Sequence, residues 1–225
     1  MSMEKISTKQ HWQQYWQQED HQPLVTHDEL LKNLQSVINV SGKRILEIGV
    51  GMGGDSIYLA KQGAKVTALD FTKEALVEVK KNAKQYHVNI DTVQADAREI
   101  PFLDGTFDVI FHQGFLEHFT NPLAMILEQK RVLKKGGYLC VDVPQRYTTY
   151  TIKKHLLMFQ KKWFAGWERE FSIGELEGLM RRANLTVVKN YGWGYYGKLY
   201  HIRHFIEHTK LKLYLCWCIG VIARK

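Results

Sequence analysis

Cysteine is scarce: Cys140, Cys216 and Cys218 are the only three in 225 residues. So few thiols, set among apolar neighbours, cannot build a disulfide framework, and a reducing cytoplasm is the compartment that fits. Cys216 and Cys218 lack a second pair with which to bind a metal, and alternate residues of a strand simply share a face. Long apolar runs are missing too. The most apolar stretch, Leu213 to Ala223, is too short to span a bilayer, ends against Arg224 and Lys225, and reads as a buried last strand. The opening MSMEKISTKQHWQQYW has no apolar core of the kind a secretion signal needs. There is neither a low-complexity linker nor an internal repeat, so 1–225 reads as one domain, large enough to bury a full core without a disulfide or metal staple. Acidic residues are in deficit, 23 against 31 Lys and Arg, for a formal charge of +8. Such a surface attracts nucleic acid, anionic lipid and acidic metabolites alike. The lysines come in scattered pairs and form no recognisable RNA-binding module, so nucleic acid is not the expected partner.

Glycine, by contrast, is concentrated. Residues 44–70, RILEIGVGMGGDSIYLAKQGAKVTALD, read as a strand, a glycine turn, a helix and a second strand that ends in a carboxylate. The apolar run Ile45, Leu46 and Ile48 stops at Gly49, and Gly49, Gly51, Gly53 and Gly54 crowd a tight strand-to-helix turn where backbone can approach a ligand closely. Asp55 and Ser56 then open a helix whose exposed N–H groups favour negative charge. Asp70 ends the second strand about twenty residues on, where a carboxylate can accept hydrogen bonds from both hydroxyls of a ribose. The glycines alone leave the nucleotide open: Gly49, Gly51 and Gly54 satisfy G-x-G-x-x-G, and Gly49, Gly51 and Gly53 satisfy G-x-G-x-G equally well.

Glu47, two residues before the first glycine, and the segments after Asp70 add what the glycines lack. With VQADAREIPF, FDVIFHQGFLEHF and RVLKKGGYLCVDVP following in order, residues 40 to 145 closely resemble the class I S-adenosylmethionine-dependent methyltransferases, in particular the type 11 small-molecule branch. The resemblance implies a Rossmann-like, doubly wound α/β sheet of about seven strands, mostly parallel with an antiparallel last strand. It implies S-adenosyl-L-methionine as cofactor and S-adenosyl-L-homocysteine as product. Residue by residue, it assigns Glu47, Gly49, Gly51 and Gly53 to the methionine end and ribose, and Asp70 to the ribose hydroxyls. It assigns Phe71 to the adenine face, Asp96 with Ala97 to the adenine amino group, and His112 with Gln113 to the border of the methionine moiety. The glycines Gly136 and Gly137 read as a structural stop before the fifth strand.

Helical patterns cover 7–20 and 27–39, an N-terminal flank ahead of the first strand, and 172–183 later. Between 145 and 167 the family pattern lapses. Tyr147, Tyr150, Phe159, Trp163, Phe164 and Trp167 interleave there with Lys153, Lys154, Lys161 and Lys162. As a helix, this segment would place Ile152, Leu156, Phe159 and Trp163 on one stripe with the lysines opposite. Its position beyond the strand ends suits a substrate lid, or else a helix packing its apolar face on the sheet. Tyr195 and Tyr196 read as pocket walls. His201, His204 and His208 with Glu207 share a helical face that is better read as polar surface than as a metal site.

Methyl transfer asks for alignment and exclusion of water, and for a base only when the acceptor carries a proton to lose. His118, in LEHF after the fourth strand, is the candidate base, with local helix packing as the alternative. The expected acceptor is small or lipid-like, and the basic, aromatic segments 152–164 and 198–213 would suit docking on an anionic membrane. Two other functions share the glycine turn. A nicotinamide-dependent oxidoreductase would have no use for Asp96 or the Glu47 spacing, and a non-catalytic S-adenosylmethionine-binding protein would need no base. The sequence does not specify the oligomeric state.

Overall fold

Strand β1 (Arg44–Ile48) buries every side chain but its first, a pattern that fits only the interior of a sheet covered on both faces. The protein is described from a computed structural model, which covers residues 9–16, 24–160, 163, 167–195 and 212–225. Helices α1 (Lys9–Trp16) and α2 (Asp28–Gln35) precede β1. Then follow α3 (Gly54–Lys61), β2 (Lys65–Asp70), α4 (Lys73–Gln85), β3 (Ile90–Gln94), β4 (Phe107–Gln113), α5 (Pro122–Val132) and β5 (Leu133–Pro144). The chain closes with α6 (Thr149–Phe159), α7 (Ile173–Arg182), β6 (Thr186–Tyr195), the one-turn α8 (Lys212–Leu215) and β7 (Cys216–Arg224).

The seven strands lie in the order β3-β2-β1-β4-β5-β7-β6. Pairs from β3 through β5 are parallel, and β7 runs antiparallel to both β5 and β6. This is the expected doubly wound sheet, and its reversed last strand sets it apart from a dehydrogenase sheet. Two cores follow from the alternation of strand side chains. Leu46, Ile48, Ile110, Leu139 and Val141 pack under Met125 and Ile126 of α5 and Leu176 and Met180 of α7. On the other face Ile45, Val66, Val109 and Phe111 meet Leu30, Leu31 and Leu34 of α2 and Leu59 of α3. Each such side chain contributes about 1.5–3 kcal/mol by burial. Helix α7 begins at a capping box in which Ser172 accepts from Glu175 N and Glu175 accepts from Ser172 N.

Two expectations change in detail. Gly136 and Gly137 lie inside β5 rather than before it, where the pairing with β4 shifts register in a bulge. In α6 the expected stripe faces outward: Ile152, Leu156 and Phe159 are 70%, 56% and 87% exposed, while Lys154 is fully buried. Lys154 turns inward because its Nζ lies 2.6 Å from Glu170 Oε1 and 3.5 Å from Glu168 Oε2. Positions two apart on a helix lie roughly 200° around it, so this anchor drives Ile152 and Leu156 to solvent. Lys161, Lys162, Phe164, Tyr196, His201, His204, Glu207 and His208 lie outside the described residues, as do the side chains of Tyr150 and Tyr195.

At the start of α3, a Cβ on Gly54 would stand 1.9 Å from the Val25 carbonyl oxygen. Gly54→Ala is therefore expected to lose about 1–3 kcal/mol of stability in urea denaturation, although alanine is the better helix former. Equal or greater stability would contradict this packing.

Candidate active site

Beyond the carboxyl ends of β1, β2 and β4 opens a cavity of about 1350 Å³. That exceeds the roughly 300–1,000 Å³ of sites for one small ligand, so there is room for two molecules side by side. Glu47, Gly49, Gly51, Gly53, Asp70, Phe71, Asp96, Ala97, Gln113 and His118 all line it. His112 does not. Adjacent strand residues point to opposite faces, so while Gln113 reaches the cavity, His112 is fully buried with its Nε2 3.3 Å from Gln129 Oε1. Burial pushes the His112 pKa down to about 4.

The glycine turn is the floor. Gly49 and Gly51 hold φ of +67° and +54°, which side chains resist. A Cβ on Gly49 would strike the Phe115 ring at 2.9 Å, whereas one on Gly51 would meet nothing within 4 Å. The space over Gly51 is thus a cradle open to a ligand. Glu47 is buried beside it and accepts a very short hydrogen bond from the Ser56 hydroxyl. Burial, then the neighbouring Asp55 carboxylate, pushes the Glu47 pKa well up against that bond. At the tip of β2, Asp70 Oδ1 accepts from Thr72 N at 2.8 Å and Thr72 Oγ1 at 2.7 Å. Burial raises its pKa, and these bonds oppose the rise. Asp96 is more open and is gripped by Arg98, whose Nε lies 3.0 Å from both carboxylate oxygens.

The opposite end is built from two distant segments. After β4 a single 3₁₀ turn, Leu116–His118, presents Glu117 and His118. Arg169 N donates to the Glu117 carbonyl at 2.9 Å, which ties this turn to residues 167–171. His118 Nδ1–H donates to the Trp167 carbonyl at 3.1 Å, and His118 Nε2 stands 4.0 Å from Glu168 Oε1. Burial pushes the His118 pKa down to about 4. It pushes Glu168 up to about 7, against the pull of Lys154, and raises Glu117 well above its ordinary range, with Glu168 adding to the rise. Trp12, Tyr15 and Trp16 of α1 also line the cavity, and the Trp12 ring meets His118 edge-on at 5.1 Å between centroids. The helical flank thus forms part of the wall, whereas none of the described residues from 145 to 163 lines it.

Sequence reasoning missed Glu117, Glu168, Arg98, the aromatic residues of α1 and the His27–Asp55 pair. The acids of WERE, Glu168 and Glu170, were visible as a reversal of charge just after a basic segment. The pair was not: His27 N and Nδ1 contact Asp55 at 2.7 and 2.6 Å across two elements.

The strand order and a glycine-floored cleft with an acidic residue at the tip of β2 define the class I methyltransferase fold. Residues 46–141 match a family model described as a methyltransferase domain, of the type 11 group. It is 36% identical over 107 residues to a demethylmenaquinone methyltransferase of Clavibacter sepedonicus, covering 48% of this chain and 43% of that one. It is 30% identical over 155 residues to a fatty-acid O-methyltransferase of Mycolicibacterium smegmatis, covering 67% and 50%. The chain thus spans about half the length of these curated relatives. Among solved structures it resembles the 1,6-didemethyltoxoflavin-N1-methyltransferase of Burkholderia thailandensis with bound 1,6-didemethyltoxoflavin and S-adenosylhomocysteine. The TM-score is 0.63 at 18% identity, with 88% of this chain and 76% of that chain covered.

Burial lowers the pKa of His27, but the Asp55 carboxylate outweighs it and leaves the group above its ordinary 6.5. The folded pKa exceeds the unfolded one, so the stability this gives is fully present below about pH 6.5 and fades as pH rises through the folded value. Melting curves of wild type and His27→Gln should therefore converge as the pH is raised from 5.5 to 8.5. A gap that widens over that range would contradict the assignment.

Proposed function

We propose that this protein transfers a methyl group from S-adenosylmethionine to a small or lipid-like acceptor, releasing S-adenosylhomocysteine. The observation that carries the reading is the sign of the cleft. In a chain of net charge +8, six carboxylates line the cavity (Glu47, Asp55, Asp70, Asp96, Glu117 and Glu168). Against them stand Arg98, His27 and His118, with no lysine among the described lining residues. A cation would draw these acids to their charged forms, so the lining favours a sulfonium and an ammonium group over a pyrophosphate, which disfavours the nicotinamide alternative.

Glu47, Gly49, Gly51 and Gly53 would hold the methionine end, Asp70 the ribose hydroxyls, Phe71 and Ala97 the adenine ring, and Asp96 its amino group. Arg98 already engages Asp96, yet carboxylate oxygens keep further lone pairs. Gln113 would border the methionine moiety. The bound cofactor supplies an already activated methyl group, so the protein's share is alignment and exclusion of water. Trp12, Tyr15, Trp16 and Trp193 supply apolar wall for that exclusion. His118, with its pKa near 4, is a weak proton acceptor at neutral pH. Its proposed part is to touch the acceptor as a neutral ring.

Replacing Asp70 by Ala is expected to weaken S-adenosylhomocysteine binding by roughly ten- to hundredfold in calorimetric titration, the worth of charge-assisted hydrogen bonds. Binding of NADH by the wild type in its place would overturn the reading.

The outward face of α6 supports delivery from a membrane surface. Ile152, Leu156 and Phe159 lie on one side of the helix, and Lys153 beside them is exposed. No helix among the described residues is long and apolar enough to cross a membrane, so contact would be peripheral. The protein is expected to co-sediment with anionic phosphatidylglycerol vesicles but not with neutral phosphatidylcholine ones. The Ile152→Ser/Phe159→Ser double variant should lose that association by about tenfold or more. Equal recovery of variant and wild type would remove the membrane from the account.

A further inference from the structure

The acceptor end gathers acidic side chains that their neighbours pair only in part. Glu170 is met by Lys154 Nζ at 2.6 Å and by His155 Nε2 at 3.0 Å. Glu168 shares that same lysine through Oε2 at 3.5 Å, while its Oε1 faces His118. Glu117 is 2% exposed, and its Oε2 has no hydrogen-bond partner among the described residues. One buried lysine therefore bridges two of these glutamates and leaves an oxygen of the third, Glu117, without a partner, and a buried carboxylate without a partner is costly.

We propose that Glu117, His118 and Glu168 form a divalent-cation site at the acceptor end of the cleft. Each offers one ligand atom, and the three atoms lie within 4.8 Å of one another. Ligands about 2.1 Å from a shared ion stand at most about 4.2 Å apart, so closing the site requires only small rotamer adjustments. The imidazole is held in place by backbone hydrogen bonds to Trp167 and Gly114. A carbonyl can only accept, so Nδ1 carries the proton given to Trp167, and Nε2 is the atom directed at Glu168. Such an outer-shell carbonyl is the usual partner of a metal-bound histidine. Two carboxylates and one imidazole suit Mn²⁺, Fe²⁺ or Zn²⁺ better than a soft ion.

All three residues line the cavity, so an ion held there keeps coordination positions open toward the acceptor. That selects an acceptor bearing a hydroxyl or carboxylate oxygen. The selection of acceptor rests on the methyl-transfer reading; the binding of the cation does not.

The test is titration of the full chain with Mn²⁺, followed by electron paramagnetic resonance, with S-adenosylhomocysteine binding measured in parallel. Expected are one bound Mn²⁺ per chain and nitrogen modulation from a single imidazole. Glu117→Gln and Glu168→Gln should each lower affinity by at least about tenfold, the loss that removal of even an outer-shell partner brings. His118→Gln should abolish the nitrogen signal, and the exposed His155→Gln should leave both unchanged. Should a variant fail to fold, the nitrogen modulation of the wild type still decides. Absence of stoichiometric Mn²⁺ binding, absence of nitrogen coupling, or indifference to all three substitutions would each overturn the site. Loss of Mn²⁺ binding with intact S-adenosylhomocysteine binding would leave the methyl-transfer reading standing, and the reverse result would leave only the cation site.

Discussion

At β1 the chain changes the side on which it adds strands: β2 and β3 extend the sheet one way, and β4 and β5 extend it the other. The helix that follows β1 packs on one face through Leu59, and the helix that follows β4 packs on the opposite face through Met125 and Ile126. Helices that part in this way leave a crevice beyond the strand tips. The polar groups that end those strands, Glu47, Asp70 and Gln113, therefore face a ligand space rather than a core.

Electrostatics follows from that geometry. Burial at the crevice denies the carboxylates water, and among the described residues the basic ones that line it are Arg98 and two histidines. The raised pKa values of Glu47, Asp70, Glu117 and Glu168 share one leading cause, burial. A cationic ligand would favour their charged forms again. Stability given up by burying these acids is in this way returned on binding, a coupling common to functional sites.

Much of this was legible in the chain because it is local. The glycine turn, Glu47 beside it and Asp70 at the next strand's end lie within one strand-helix-strand unit, where spacing fixes position. His112 lies off the cavity because a strand sends neighbours to opposite faces, whereas a resemblance assigns the pair together. Helix α6 was inverted for another reason: periodicity finds an apolar stripe but not the partner that decides its direction. Lys154 is drawn inward by Glu168 and Glu170, which lie past the helix's end. Glu117 and Glu168 meet only because Arg169 pairs with the 3₁₀ turn, and His27 meets Asp55 only because Gly54 lets the 24–27 segment close on α3. Contacts between distant segments leave no pattern in a single sequence.

The central claim is that a sulfonium nucleoside lies along the tips of β1 and β2, with its sugar on Asp70 and its amino-acid end over Gly51. A crystal structure of the protein grown with S-adenosylhomocysteine tests this most directly. The account predicts density in that crevice, with both ribose hydroxyls within hydrogen-bond reach of the Asp70 carboxylate. A crevice closed by side chains, or a nucleoside bound with its sugar away from Asp70, would contradict it.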